Sequence, residues 1–447
     1  MHNRVSVIPL DRYDPELIYR SLPDRLFSPI DRGRTVVLKP NWVLESHKFR
    51  REEWECVITH PAVVTAVVRK VLERLDGRGR IVILDGPSTE ACFDRLLSRY
   101  PVEDWKALAS KGGVLLDVVD LRDREFVTRK GIVFKRLSLP GDPLGKVIVN
   151  LPKESSEFWG HARSRPGYYG ADYDRSETNA AHNGLDNLYS VSKTVMEGDV
   201  FINLPKLKTH GKAGITSCLK NLVGINTNKN YLPHHSEGGP SEGGDQFPSE
   251  GFHAAIEGPF MRVLKRYLLS YPLLAWALSH FRGLGTTFFG DTGKVVRSGN
   301  WYGNDTIWRM ILDLNKILLY ADSKGNMSSA GFAGARRYIG IVDGIVAGEG
   351  NGPLEPEPVA MGYLFCGSNP VAVDAVCAEF MGFEARKIPS IAKAFEARCY
   401  PLCDFPVEAV EIETGASSYP LAKLPRDLIR EFAPHFGWKG HIEKRAC

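Results

Sequence analysis

Several things are scarce or missing in this 447-residue chain. Eight cysteines are too few for a disulfide scaffold, and no two form a C-x-x-C pair. Charge of one sign is missing too: 57 Lys plus Arg against 53 Asp plus Glu leaves +4, too little for a dedicated nucleic-acid binder. The longest apolar run, between Arg266 and Arg282, is fifteen residues broken by Ser270, Pro272 and Ser279. A spanning helix needs about 20. Met1–Pro15 has no apolar signal-peptide core, so a cytoplasmic location is expected. There is no G-x-x-x-x-G-K-[ST], no G-x-G-x-x-G after a strand, no H-E-x-x-H and no G-x-S-x-G. These absences argue against P-loop NTPases, standard dinucleotide enzymes, zincins and α/β-hydrolases.

What is present is an alternation of short apolar strands with helices. Arg34–Leu38 reads as a buried strand leading into Lys39-Pro40-Asn41. Thr59-His60-Pro61 opens a helix to about Leu75, with Thr59 as N-cap, and Arg80–Leu84 is the next strand, ending at Asp85. This βαβ order predicts an α/β fold: a mostly parallel sheet with helices on both faces. Further strands are expected at 114–119, 146–150, 199–204, 338–342 and 362–366, and helices near 215–222, at 304–321 and at 369–381. The core spans 34–385, with large insertions at 151–190 and 227–300 that could close over a site. A C-terminal extension, 386–447, packs on the core.

The chemistry gathers at expected strand ends. The strand Asp199–Leu204 delivers Lys206, Lys208 and His210, and Lys220 follows in the next helix. Alternation puts Lys206, Lys208 and His210 on one face, at the strand end where open α/β sheets bind ligands. The free N–H groups of that helix start would add to the attraction for a carboxylate or phosphate. Lys39, Asn41, Asn221, Asp343 and Asn351 are further substrate-binding candidates, with Asp343 read as a strand-end D-G turn and 348–353 as a glycine-rich loop that lets backbone approach a ligand. His210, Lys220 and His60 are the candidates for proton transfer and charge stabilisation. A divalent metal held by His234, His235 and Asp85 is the alternative use of the late histidines. The expected partner is a small anion. The stretch 260–282, flanked by Arg and Lys, suits a membrane interface, but Pro272 favours a lid or core segment. A non-catalytic anion-binding module would keep the same lysines without converging histidines.

Six ordered blocks resemble a known family: Lys39-Pro40-Asn41; Thr59-His60-Pro61; the run Leu204 to His210; Leu219 to Gly224; Val342-Asp343-Gly344 with Gly350 to Pro353; and Val371 to Ala375. Together they resemble the domain of unknown function 362 family. Many members carry a ferredoxin-type four-cysteine module, and this chain has no such run. A more distant similarity is to lactate racemases. It runs through Gly198-Asp199, His210, Gly214, Lys220, Gly224-Ile225 and His234 or His235. That resemblance implies a tether for a nickel-pincer nucleotide at Lys220, a metal ligand at His234 or His235, and an acid/base at His60. The chain departs from the racemase pattern where Gly214 to Leu219 replaces a triple-glycine approach to the lysine.

Overall fold

A computed structural model describes residues 2–129, 132–161, 167–172, 174–248, 295–328 and 336–444. The centre is an eleven-stranded sheet. In chain order its strands are β1 (Arg4–Pro9), β2 (Thr35–Pro40), β3 (Arg80–Asp85), β4 (Leu115–Asp120), β5 (Val200–Leu204), β6 (Lys206–His210), β7 (Gly214–Thr216), β8 (Arg337–Asn351), β9 (Glu355–Gly367), β10 (Glu411–Thr414) and β11 (Ser417–Pro420). The spatial order is β11-β10-β1-β9-β8-β5-β2-β3-β4, with β6 against β7 and β8. The run β8-β5-β2-β3-β4 is parallel throughout. The antiparallel pairs are β8–β9, β1–β9, β6–β7 and β10–β11.

The apolar strands are buried on both faces, as parallel strands must be. Val37, Val82 and Phe201 enter one core, while Val36, Leu38, Ile81 and Ile202 enter the other. Helix α1 (Pro61–Leu75) covers the second core, and α3 (Ile307–Tyr320) and α4 (Pro370–Phe380) cover the first. Helix α2 (Cys218–Asn221) follows β7 directly. Among the described residues, no helix is long and apolar enough to cross a membrane. The stretch 260–282 lies outside the described residues.

Four expectations need correction. The N-cap of α1 is His60, whose Nδ1 accepts from Ala62 N at 3.1 Å. Thr59 instead donates its hydroxyl to Leu204 O and accepts from Asn41 N. Asp343 is no turn residue but sits mid-strand in β8, because β8 runs on to Asn351 in a long hairpin with β9. Most of the glycine-rich loop is therefore strand, and its close approach is to protein: a Cβ on Gly352 would lie 2.0 Å from Thr209 O. The expected helix at 215–222 is a short strand, one helical turn and a 3-10 turn.

The two insertions meet. Tyr168–Gly170 pairs antiparallel with Pro233–Ser236. Lys146–Asn150 pairs with Leu188–Ser192. Residues 386–444 add β10 and β11 to the sheet edge and end in a 3-10 turn, Phe436–Trp438.

Candidate functional site: a lysine- and histidine-lined cavity

The strand order reverses direction beside β2, between β5 and β3, and a ligand crevice is expected there at the carboxyl ends. A cavity of about 340 Å3 opens at that place, a size suited to a small molecule. Lys39, Lys208, Lys212, Lys220 and Lys229 line it, and Asp85 is its one lining carboxylate among the described residues.

Lys39 and Asp85 face each other from adjacent strand ends, Nζ to Oδ1 at 2.8 Å, and both are fully buried. Asp85 also accepts from Trp42 N at 2.7 Å and Gly86 N at 2.8 Å. This acid is thus matched within the protein. Gly224 makes the pair possible: a Cβ there would lie 1.8 Å from Asp85 Oδ1 and 2.6 Å from Lys39 Nζ. Asn41 donates to Asn221 Oδ1 at 2.8 Å, and Asn221 donates to Asn203 Oδ1 at 2.8 Å. This amide relay fixes the last turn of α2, which carries Lys220.

The first two N–H groups of α2 are already engaged. Cys218 N and Leu219 N donate to the Asp374 carboxylate at 2.6 and 3.0 Å. The expected anion site at the helix start is therefore filled by a protein side chain from α4. Burial pushes the Asp374 carboxyl up to about 7, against the pull of these donors.

Among the described residues, Lys208, Lys220 and Lys229 have no acidic partner. Lys208 Nζ donates to Val57 O, and Lys229 Nζ to Gly86 O at 2.6 Å. Lys212 Nζ donates to Ser298 O. Lys220 Nζ has no hydrogen-bond or ion-pair partner among the described residues. Burial first, then repulsion from neighbouring cations, pushes Lys220 down to about 7. Lys208 also falls to about 7 and Lys229 to about 8, in each case chiefly through burial. Two further polar atoms of the wall, Thr216 Oγ1 and Asn41 Oδ1, are buried with no hydrogen-bond partner.

Three imidazoles complete the wall, and their partners fix their tautomers. His210 Nδ1 accepts from Lys212 N and Ala213 N at 3.1 and 3.2 Å, so its neutral ring carries the proton on Nε2. His435 Nδ1 accepts from Gly437 N at 3.1 Å, with the same result. His234 is opposite: Nδ1–H donates to Leu232 O at 2.9 Å, leaving a lone pair on Nε2. Burial and nearby lysines hold His210 and His234 well below the usual imidazole range, and His435 at about 4.

Of the sequence candidates, the cavity brings together Lys39, Asn41, Asp85, Lys208, His210, Lys220, Asn221 and His234. The others lie elsewhere. Lys206 pairs with Asp343 at 2.5 Å and donates to Tyr13 at 2.9 Å, because the register of β6 against β8 shifts between Lys206 and Lys208. His60 is stacked between Tyr13 and Trp54, with ring centroids 3.6 and 5.2 Å away, and burial lowers it to about 4. It is a capping residue beside that second cluster. His235 stacks on Tyr169 at 4.6 Å and sits 3.4 Å from Lys212 Nζ, outside the cavity lining, and Asn351 ends β8 outside the wall.

His234, His235 and Asp85 therefore do not converge. Among the described residues no three His, Cys, Asp or Glu side chains are placed to hold a metal ion. The donor set facing the cavity, one imidazole lone pair and a carboxylate already engaged by Lys39, does not fit a divalent metal. Sequence reasoning missed Lys229, Thr216 and His435. The first two sit in or beside recognised motifs, but nothing local marks His435.

A larger depression of about 1050 Å3 lies at the opposite, amino end of the strands. Two of its charged groups are engaged within the protein: Arg34 pairs with Asp199 at 3.0 Å, and Arg336 donates to backbone carbonyls including Leu318 O and Ala321 O.

The sequence profile described as Domain of unknown function (DUF362) matches residues 36–156 and 167–379, well over half of the chain. The chain belongs to this family. The DUF362 match contains every cavity residue named above except His435. No curated protein matches the chain. Among solved structures it is similar to the lactate racemase apoprotein from Thermoanaerobacterium thermosaccharolyticum. That similarity has 13% identity, covers 49% of this DUF362 chain and 38% of the racemase, and has a TM-score of 0.23.

Proposed function

We propose that the chain is an enzyme acting on a small anionic substrate, a carboxylate or phosphate compound, bound in the cavity at the strand ends. The observation that carries this reading is an imbalance of buried charge. The buried Lys208 and Lys229 and the half-buried Lys220 have no carboxylate partner among the described residues, while Asp85 is already matched by Lys39. Unpaired buried ammonium groups are costly, and an anion is the complement that offsets the cost. The Nε2–H groups of His210 and His435 are neutral donors for the same ligand. The lone pair of His234 Nε2 is a proton acceptor within the same wall, which favours an enzyme over a plain binding module.

Isothermal titration and thermal melting with sulfate and inorganic phosphate test the reading. Binding at one site per chain is expected, with the melting temperature raised by a ligand that binds only the folded state. Replacing Lys208 and Lys220 by Met should abolish the effect. If neither anion binds the wild-type protein, the proposal fails.

A further inference from the structure

We propose that Lys220 is an amine nucleophile, and that the substrate is therefore a small anion bearing an aldehyde or ketone carbon for it to attack. This deepens the anion reading above, and it rests on that reading for the substrate's charge.

Four of the five cavity lysines have fixed duties. Lys39 is spent on Asp85, and Lys208, Lys212 and Lys229 are pinned to backbone carbonyls. Lys220 alone has no partner among the described residues. Its backbone, in contrast, is clamped. Asp374 holds the N–H groups of Cys218 and Leu219, Asn315 Nδ2 donates to Leu219 O at 3.0 Å, and Asn221 is locked in the amide relay. A rigid base under an untethered amine suits reaction with a ligand rather than structural pairing. The surroundings also favour the neutral amine. Burial and the cations of Lys229, Lys39 and Lys212 oppose its protonation.

The other wall groups have matching roles. The pinned lysines hold the anionic group. The His210 Nε2–H stabilises the carbonyl oxygen as charge develops there. His234 Nε2 shuttles protons. The amine lone pair forms the C–N bond as the carbonyl π pair moves to oxygen. One nitrogen proton passes through His234 to that oxygen, giving a carbinolamine. The nitrogen lone pair then forms C=N as the C–O bond breaks, and the second nitrogen proton joins the departing hydroxide. The products are an imine on Lys220 and one water, with no oxidant or reductant needed.

The test uses the full chain with pyruvate or 2-oxoglutarate and sodium cyanoborohydride, read by intact mass and peptide mapping. A single adduct on Lys220 is expected, formed at least about tenfold faster than on surface lysines and suppressed by sulfate. Lys220→Arg should lose the adduct, and the wild-type map stands even if that variant folds poorly. Adducts spread evenly over surface lysines, or an unmodified Lys220 in protein that still binds sulfate, would overturn the nucleophile and leave the anion site intact. A Lys220 adduct that sulfate does not suppress would instead count against the anion reading.

Discussion

At the residue scale, the cavity is defined by which charges are matched. Lys39 and Asp85 form a closed pair in the protein interior. Removing one partner leaves the other buried and uncompensated, so Lys39→Met should lower the unfolding free energy by about 3–5 kcal/mol in a denaturant titration. A shift below 1 kcal/mol would mean that water reaches Asp85 freely. Lys208 and Lys220 behave differently, since burial pushes both down to about 7. They are charged below that value and lose charge as pH rises through it. Sulfate keeps a constant charge, so its affinity should fall between about pH 7 and pH 9, by about tenfold per unit for each proton taken up on binding. The groups facing Lys220 are Lys229, Lys39, Lys212, Lys208, His210, His234 and Asp85, and burial outweighs the one acid among them. Titration in buffers of different ionisation enthalpy should show that proton uptake directly. A pH-independent affinity would contradict the assignment.

At the element scale, the strands and helices nearest the site were legible in the sequence. β2, α1, β3 and β5 all lie within a residue or two of the apolar pattern that announces them. Lys39, Lys208, His210 and Lys220 were found because each follows such a strand closely. What the pattern could not show was pairing across long distances. Asp343-Gly344 reads locally as a turn, yet the antiparallel partner β9 extends β8 through it. The alternation of β6 predicted a shared duty for Lys206 and Lys208, but a register shift sends Lys206 to Asp343. The start of α2 looked open because its cap, Asp374, comes from a helix more than 150 residues away in sequence. Gly224 is the element-scale test. A methyl group there would collide with both members of the Lys39–Asp85 pair. Gly224→Ala should destabilise by about 1–3 kcal/mol, as overpacking does, and should weaken sulfate binding as well. A variant that melts and binds like wild type would show that the pair can move aside.

At the scale of the whole molecule, the site is assembled from distant parts of the chain. The family match ends at residue 379, and His435 reaches the cavity from beyond it. Trp438 anchors that turn by donating Nε1–H to Gly211 O at 2.6 Å. His435→Ala should therefore weaken sulfate binding about tenfold, the worth of one hydrogen bond to a charged group, with little change in melting temperature. Unchanged affinity would remove His435 from the binding set. No local motif announces this residue, because its role depends on how residues 386–444 wrap the sheet.

The position of His435 has a further consequence, for the order in which the protein is made. Chains emerge from the ribosome amino end first, at about 5–20 residues per second. Lys39, Asp85, Lys208 and Lys220 are all available for folding well before His435 is synthesised. Through that interval the nascent domain carries a cluster of like charges with one wall still missing and water free to screen them. That wall closes only when the segment carrying His435 and Trp438 docks against Gly211. The part of the wall that His435 supplies is thus added after the lysines that face it are already in place.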